Sequence, residues 1–195
     1  LKLLLFTFIF SISISCYSQD ANKAFAITGN GNGDFQWMNI RQIDLSTGLV
    51  TKNIFEKGVT AYQMRDVVTD KEIMVLSQQN DRQISSPEYP TATMVAAAAY
   101  DKKHDKLFFT PMSISSLRWL DLSSDAVHPK FYSLQSSLLS PGNINDDANH
   151  FTRMAIGADG NGYALTNDAN HLIKFTTGKK IIITDLGALV DASST

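Results

Sequence analysis

The sequence predicts an all-β fold, and three observations carry that prediction. Apolar and alternating runs are short and bounded by glycine, asparagine, aspartate and serine. Few stretches repeat apolar residues at helical spacing. One pattern of strands and turns recurs along the chain.

The pattern is clearest over residues 93–122, TMVAAAAYDKKHDKLFFTPMSISSLRWLDL. MVAAAAY reads as a strand of small apolar residues, DKKHDK as a charged turn, and KLFFTPM as a second strand. After a polar break, LRWLDL gives a third, and KFYSLQ (130–135) a fourth.

The other elements follow in order. AFAITGN (24–30) is a short strand running into GNGNGD (29–34), where glycine and asparagine tolerate positive φ and make a loop or hairpin tip. A phosphate-cradling loop would need a following Lys-Ser/Thr and a helix, and neither is there. WMNIRQIDL (37–45) alternates as a strand, Ser46-Thr47-Gly48 turns the chain, and LVTKNIFEKG returns it. Residues 59–92 are the least regular part. They hold one apolar burst, EIMVL (72–76), and then a polar loop ending at Pro87 and Pro90, which reads as an irregular insertion. SSLLSPGNINDDAN connects to the last group: FTRMAIGAD, a DGNG turn (159–162), YALTN, HLIKFTT, the turn Gly178-Lys179-Lys180, and IIITDLG.

Laid over one another, three units share a frame. Their second strands are 25–28, 107–110 and 163–166, each closing on threonine, and their third strands are 40–45, 117–122 and 172–177. Repeated four-stranded antiparallel units predict a β-propeller, with blades at about 24–58, 93–136 and 151–187. First strands rich in small residues, 96–99 and 155–158, suit the crowded axis of a propeller better than the even inner faces of a sandwich. The first unit begins at its second strand. Three blades are too few to close a ring, so the expectation is an incomplete ring and a chain that is the N-terminal part of something longer. Such a wedge would expose apolar blade faces and be poorly soluble or oligomeric alone.

AAAAYDKKHDKLFFTPMSISSLRWLDL and RMAIGADGNGYALTNDANHLIKFTT resemble the blades of secreted propeller-like proteins of Bacteroidetes-type bacteria, many of them uncharacterised. The resemblance covers residues 93–187 well and 24–58 loosely. It implies the architecture and, in some members, a C-terminal sorting domain for export. It brings no catalytic residue set.

The first residues, LKLLLFTFIFSISISCYSQ, carry Lys2 and then an apolar and hydroxyl run over 3–15, the layout of a secretory signal over residues 1–18. The run is short for a membrane span, and none is expected after signal removal. Cleavage after Ser18 competes with lipidation at Cys16, where Ser13 stands in place of the larger aliphatic such a site prefers. Residues 19–195 would then be the propeller domain. Cys16 is the only cysteine, so the cleaved chain has no disulfide, cysteine metal site or cysteine nucleophile. With 17 basic and 19 acidic side chains, the charge balance argues against non-specific nucleic-acid binding.

Candidate chemistry is sparse. Residues 145–150 form the densest group of oxygen and imidazole donors, and Asp146, Asp147, His150 and Arg153 are the candidate site residues, because loops between two blades of a propeller often bind ligands. His104 reads as a solvated turn residue, and His171 opens a strand. The DGNG stretch lacks the ligand pattern of a calcium loop and reads as a hairpin turn. No G-x-S-x-G elbow occurs, so no catalytic residue is assigned. Trp37, Trp119, Phe35 and Phe131 read as packing anchors rather than a sugar-stacking platform. No metal or cofactor is predicted. The expected function is a secreted, non-enzymatic propeller that binds a protein or glycan ligand at the cell surface. The alternative is a propeller enzyme acting on glycans, peptides or with a quinone-type cofactor at the channel mouth.

Overall fold

The computed structural model describes residues 23–31, 33, 35–76, 86–124 and 127–190. The expected leader, Cys16 included, lies outside the described residues. Thirteen strands form three sheets, and among the described residues none closes into a barrel. The first sheet is antiparallel: β1 (Lys23–Thr28), β2 (Asn39–Asp44) and β3 (Val50–Phe55). The second contains β4 (Tyr62–Asp66), β5 (Glu72–Leu76), β6 (Val95–Asp101), β7 (Lys106–Pro111), β8 (Ser116–Asp121) and β9 (Lys130–Gln135), in the order β5-β4-β9-β8-β7-β6. The third is β10 (Phe151–Ile156), β11 (Asn161–Thr166), β12 (Leu172–Thr176) and β13 (Ile183–Asp185), in chain order.

Aspartates close the strands. Asp44 Oδ1 accepts from Ser46 N at 2.7 Å and Ser46 Oγ at 2.5 Å, and Asp121 Oδ1 does the same for Ser123 N at 3.0 Å and Ser123 Oγ at 2.6 Å. The same Asp-Leu-Ser sequence ends β2 and β8 with the same Asx-turn, so the two strands end alike in their units. Asp66, Asp101, Asp159, Asp168 and Asp185 each take a backbone N–H two residues on in the same way. At the tip after β10, Gly160 supplies the positive φ, +77°, that the turn requires.

Two cores flank the six-stranded sheet. Between it and the first sheet lie Ile40, Phe55, Tyr62, Tyr89, Phe109 and Phe131, and on its other side Phe108, Trp119, Phe151, Ile173 and Phe175 pack together. Because strand side chains alternate, Phe108 and Phe109 enter opposite cores, which is why KLFF is apolar without a break. The same alternation sends Arg118 to the Phe109 side, toward Tyr89 and Pro90.

Strand directions relate the sheets. Lys23, opening β1, comes within 4.0 Å of Asp105 just past the end of β6, whereas Val95 N, opening β6, donates to Trp37 O just before β2. β1 therefore runs against β6 and β2 runs with it. Thr110 Oγ1, near the end of β7, donates to Phe151 O at the start of β10, at 2.9 Å, so β10 starts where β6 starts. β1 thus runs in the direction of β7.

The described parts of residues 59–92 are more ordered than their sequence implies. β4 and β5 form a hairpin that joins the outer edge of the second sheet, β4 lying parallel to β9 with Met64 opposite Phe131. All other pairings are antiparallel. Tyr89, from the stretch read as polar loop, and Ala92, from the end of the irregular insertion, are fully buried.

Candidate functional site

The loop carrying Asp146, Asp147 and His150 folds into a single 3-10 turn, Asp147–Asn149. Asp146 is its cap, its Oδ1 accepting from Ala148 N at 3.0 Å. His150 is 5% exposed; Nε2 donates to Ile144 O at 2.7 Å, and Nδ1 lies on the other side of the ring. Asp147 Oδ1 lies 3.5 Å from that Nδ1, without hydrogen-bonding geometry, and is itself exposed. Arg153 is apart from the group. It sits exposed on β10, its Nη1 reaching Thr152 Oγ1 at 3.4 Å, beside a shallow hollow shared with Met154 and Tyr163. The structure brings Asp147 and His150 together, uses Asp146 as a cap and gives Arg153 a separate neighbourhood. A carboxylate and one imidazole nitrogen are two donors, fewer than a metal site needs.

The turn around His104 interlocks two sheets. His104 Nδ1 is 2.6 Å from Asp101 Oδ2, and Thr177 Oγ1, after β12, lies 3.2 Å from the same nitrogen. Lys106 Nζ donates to Thr177 O at 3.1 Å and Gly178 O at 2.8 Å. Its charge also lies over the rings of Trp119 and Phe108. Burial works to raise the Asp101 carboxyl, but hydrogen bonds from His104 and Thr177 outweigh it and hold the pKa below the usual range. A second imidazole–carboxylate pair joins His171 Nδ1 to Asp185 Oδ2 at 2.7 Å, across β12 and β13. Both pairs hold neighbouring segments together, and among the described residues neither has a nucleophile placed on Nε2 as proton transfer would require.

The DGNG stretch is a hairpin turn. Asp159 accepts from Asn161 Nδ2 at 2.7 Å, Asn161 N at 3.1 Å and Tyr163 Oη at 2.8 Å; these bonds hold its carboxyl down at about 2. Its oxygens are occupied by the turn itself.

One buried charge escapes sequence reasoning. Arg118 is 1% exposed and donates from Nη1 to Tyr89 O and Pro90 O, from Nη2 to Pro87 O, and from Nε to Ser116 Oγ. Burial pulls its pKa down to about 10, so it remains protonated at neutral pH. The alternation of LRWLDL does place Arg118 opposite Leu117 and Trp119, which was the available signal.

The aromatic residues divide, and this corrects the sequence reading. Trp119 and Phe131 are core residues, but Phe35 is 81% exposed and Trp37 53%. Their loop is pinned at its base: Asn39 Nδ2 donates to Asn30 Oδ1 at 2.7 Å, and Lys57 Nζ to Gln36 Oε1 at 2.6 Å. Asn39 Oδ1 in turn accepts from Lys57 N at 2.8 Å. The two rings are two residues apart on a fixed support.

No family model matches the chain, and no curated protein matches it. Among solved structures, the chain is similar to a 2S albumin seed protein from Dolichos, at 8% identity and a TM-score of 0.45, covering 89% of this chain and 65% of that one. It is also similar to a streptogramin B lyase, at 12% identity and a TM-score of 0.37, covering 76% of this chain and 48% of that one. The chain spans less than two thirds of the length of either. Among the described residues no helix is long and apolar enough to cross a membrane.

Proposed function

We propose that this chain is part of a secreted β-propeller that binds a protein or glycan partner at the cell surface. Support for the propeller comes from two runs of four strands paired in chain order, β6-β7-β8-β9 and β10-β11-β12-β13, and from the matched directions of β2, β6 and β10. The Asp-Leu-Ser turns after β2 and β8 add to it, because equivalent strands end in equivalent turns. The apolar leader at residues 1–18 supports secretion.

One observation carries the binding reading: Phe35 and Trp37 stand exposed on a loop whose base is held by Asn39 and Lys57. Exposing two large rings costs solubility, and a pinned aromatic pair loses little entropy when a partner covers it. Trp119 is buried, so Trp37 is the tryptophan that a bound partner would reach.

Tryptophan fluorescence tests this. The purified protein is screened on a glycan array and on envelopes of the producing cells, and hits are titrated by fluorescence. Binding with a Trp37 blue shift, reduced at least tenfold in the Phe35→Ser/Trp37→Ser double variant at unchanged melting temperature, is the expected result. Equal binding by the double variant, or no binding to either probe, would overturn the reading.

A further inference from the structure

We infer that the parallel seam between β4 and β9 is a second binding site, for a neutral polyhydroxylated ligand: a single hexose or the hexosyl end of a glycan. It rests on a row of side chains running across five strands. In register, Phe108 faces Trp119, Trp119 faces Tyr132, Tyr132 faces Arg65 and Arg65 faces Glu72. The row passes from fully buried at Phe108 to exposed at Glu72. The third sheet has four strands and the second has six, so the packing that covers Phe108 and Trp119 reaches no farther along the second sheet than Tyr132 and Val67.

Beyond that rim lies an open hollow of about 220 Å³, bounded by Gln63, Arg65, Asp70, Glu72, Lys130 and Tyr132. Its floor is fixed, because the alternate residues Met64 and Phe131 are buried in the core on the opposite face. The volume is below the roughly 300–1,000 Å³ of drug-sized sites, so it suits one ring.

The chemistry of the lining selects the ligand class. Arg65 Nη1 is held by Asp70, through Oδ1 at 2.9 Å and the backbone oxygen at 3.1 Å. Among the described residues, Arg65 Nε and Nη2, the Gln63 amide, the Glu72 carboxylate, the Lys130 ammonium and the Tyr132 hydroxyl make no hydrogen bond. Two cations and two carboxylates surround the hollow, so an anion meets Asp70 and Glu72, and a cation meets Arg65 and Lys130. A hydroxyl group both donates and accepts, and so can satisfy each of these side chains in turn. One face of the Tyr132 ring is stacked on Trp119, at 5.3 Å and 12°, and the other turns toward β4, where it offers an apolar wall to the C–H face of a sugar ring.

The site is separate from the Phe35–Trp37 pair, and the experiment keeps them apart. Methyl glucoside, galactoside and mannoside and N-acetylglucosamine are titrated into the full chain by saturation-transfer NMR, with inorganic phosphate and glycine as charged controls. At least one hexoside is expected to bind, with affinity reduced tenfold or more by Gln63→Ala and by Lys130→Ala, and unchanged by Phe35→Ser/Trp37→Ser. Both groove residues have solvent-facing side chains, and circular dichroism checks that each variant folds. No binding of any hexoside, binding that survives both groove substitutions, or equal binding of phosphate or glycine would overturn the assignment.

Discussion

Arg118 Nη1 donates to the carbonyl oxygen of Tyr89 at 2.6 Å, tying a β8 side chain to a turn 29 residues earlier. With Pro87 and Pro90 also accepting, one guanidinium gathers three backbone oxygens that no strand partners. A buried arginine is expensive to desolvate, and here the expense is offset by charge-assisted hydrogen bonds. Arg118→Leu leaves the Pro87 and Pro90 carbonyls without this donor, while Tyr89 O keeps Ala92 N, so we expect a loss of about 3 kcal/mol in urea unfolding. Arg118→Lys, with a point charge instead of a planar fork, should recover only part of it. An unchanged midpoint for Arg118→Leu would show that the loop does not depend on this contact.

Gly162 allows β11 to pass directly beneath the buried ring of Phe175. A Cβ at position 162 would overlap the outer carbons of that ring, and Phe175 has no exposed side to move into. Gly162→Ala should therefore destabilise by roughly 1–3 kcal/mol, despite the better strand propensity of alanine. The combination Gly162→Ala with Phe175→Leu should lose less than the sum of the single changes, which thermal denaturation can measure.

Ala97 is 8% exposed on β6, the strand that β10 runs beside, and Ala98 packs partly into the first core. Ala97→Leu and Ala98→Leu should each cost about 1–3 kcal/mol by overfilling this edge. If both variants unfold at the wild-type denaturant concentration, the small residues of β6 are not there to admit a neighbouring strand.

Asp101 predicts the acid limb of stability. Its folded pKa is below the usual value, so it stabilises the fold fully above the unfolded carboxylate pKa of about 3.9 and loses that contribution as pH falls toward the folded pKa. Wild-type stability should thus drop on acidification below about pH 4. Asp101→Asn should start lower at neutral pH and show a shallower drop. Parallel acid limbs in the two proteins would mean that the His104 and Thr177 contacts do not tune this carboxyl.

Much of the fold is legible in the sequence because its signals are local. The KFYSLQ strand falls at Lys130–Gln135 as read, and the DKKHDK turn separates β6 from β7. The glycine and aspartate turns hold through hydrogen bonds two or three residues long. The β4–β5 hairpin was harder to see, because it is completed by a parallel partner more than sixty residues away, and no hairpin signal marks such a pairing. The candidate site divides for the same reason. Asp147 and His150 are close in the chain and meet; Arg153 is close in the chain too, but strand alternation turns it elsewhere.

By itself, then, the sequence determined the all-β strand content and the turns, because alternation and turn chemistry act within a few residues. Only tertiary structure decided which aromatics are core. Phe108 and Trp119 lie under a neighbouring sheet, Tyr132 is at its rim, and Phe35 and Trp37 lie beyond any cover among the described residues. An aromatic side chain carries the same local signal in all three settings. What separates them is where the covering sheet stops, and that is set by packing between strands far apart in the chain.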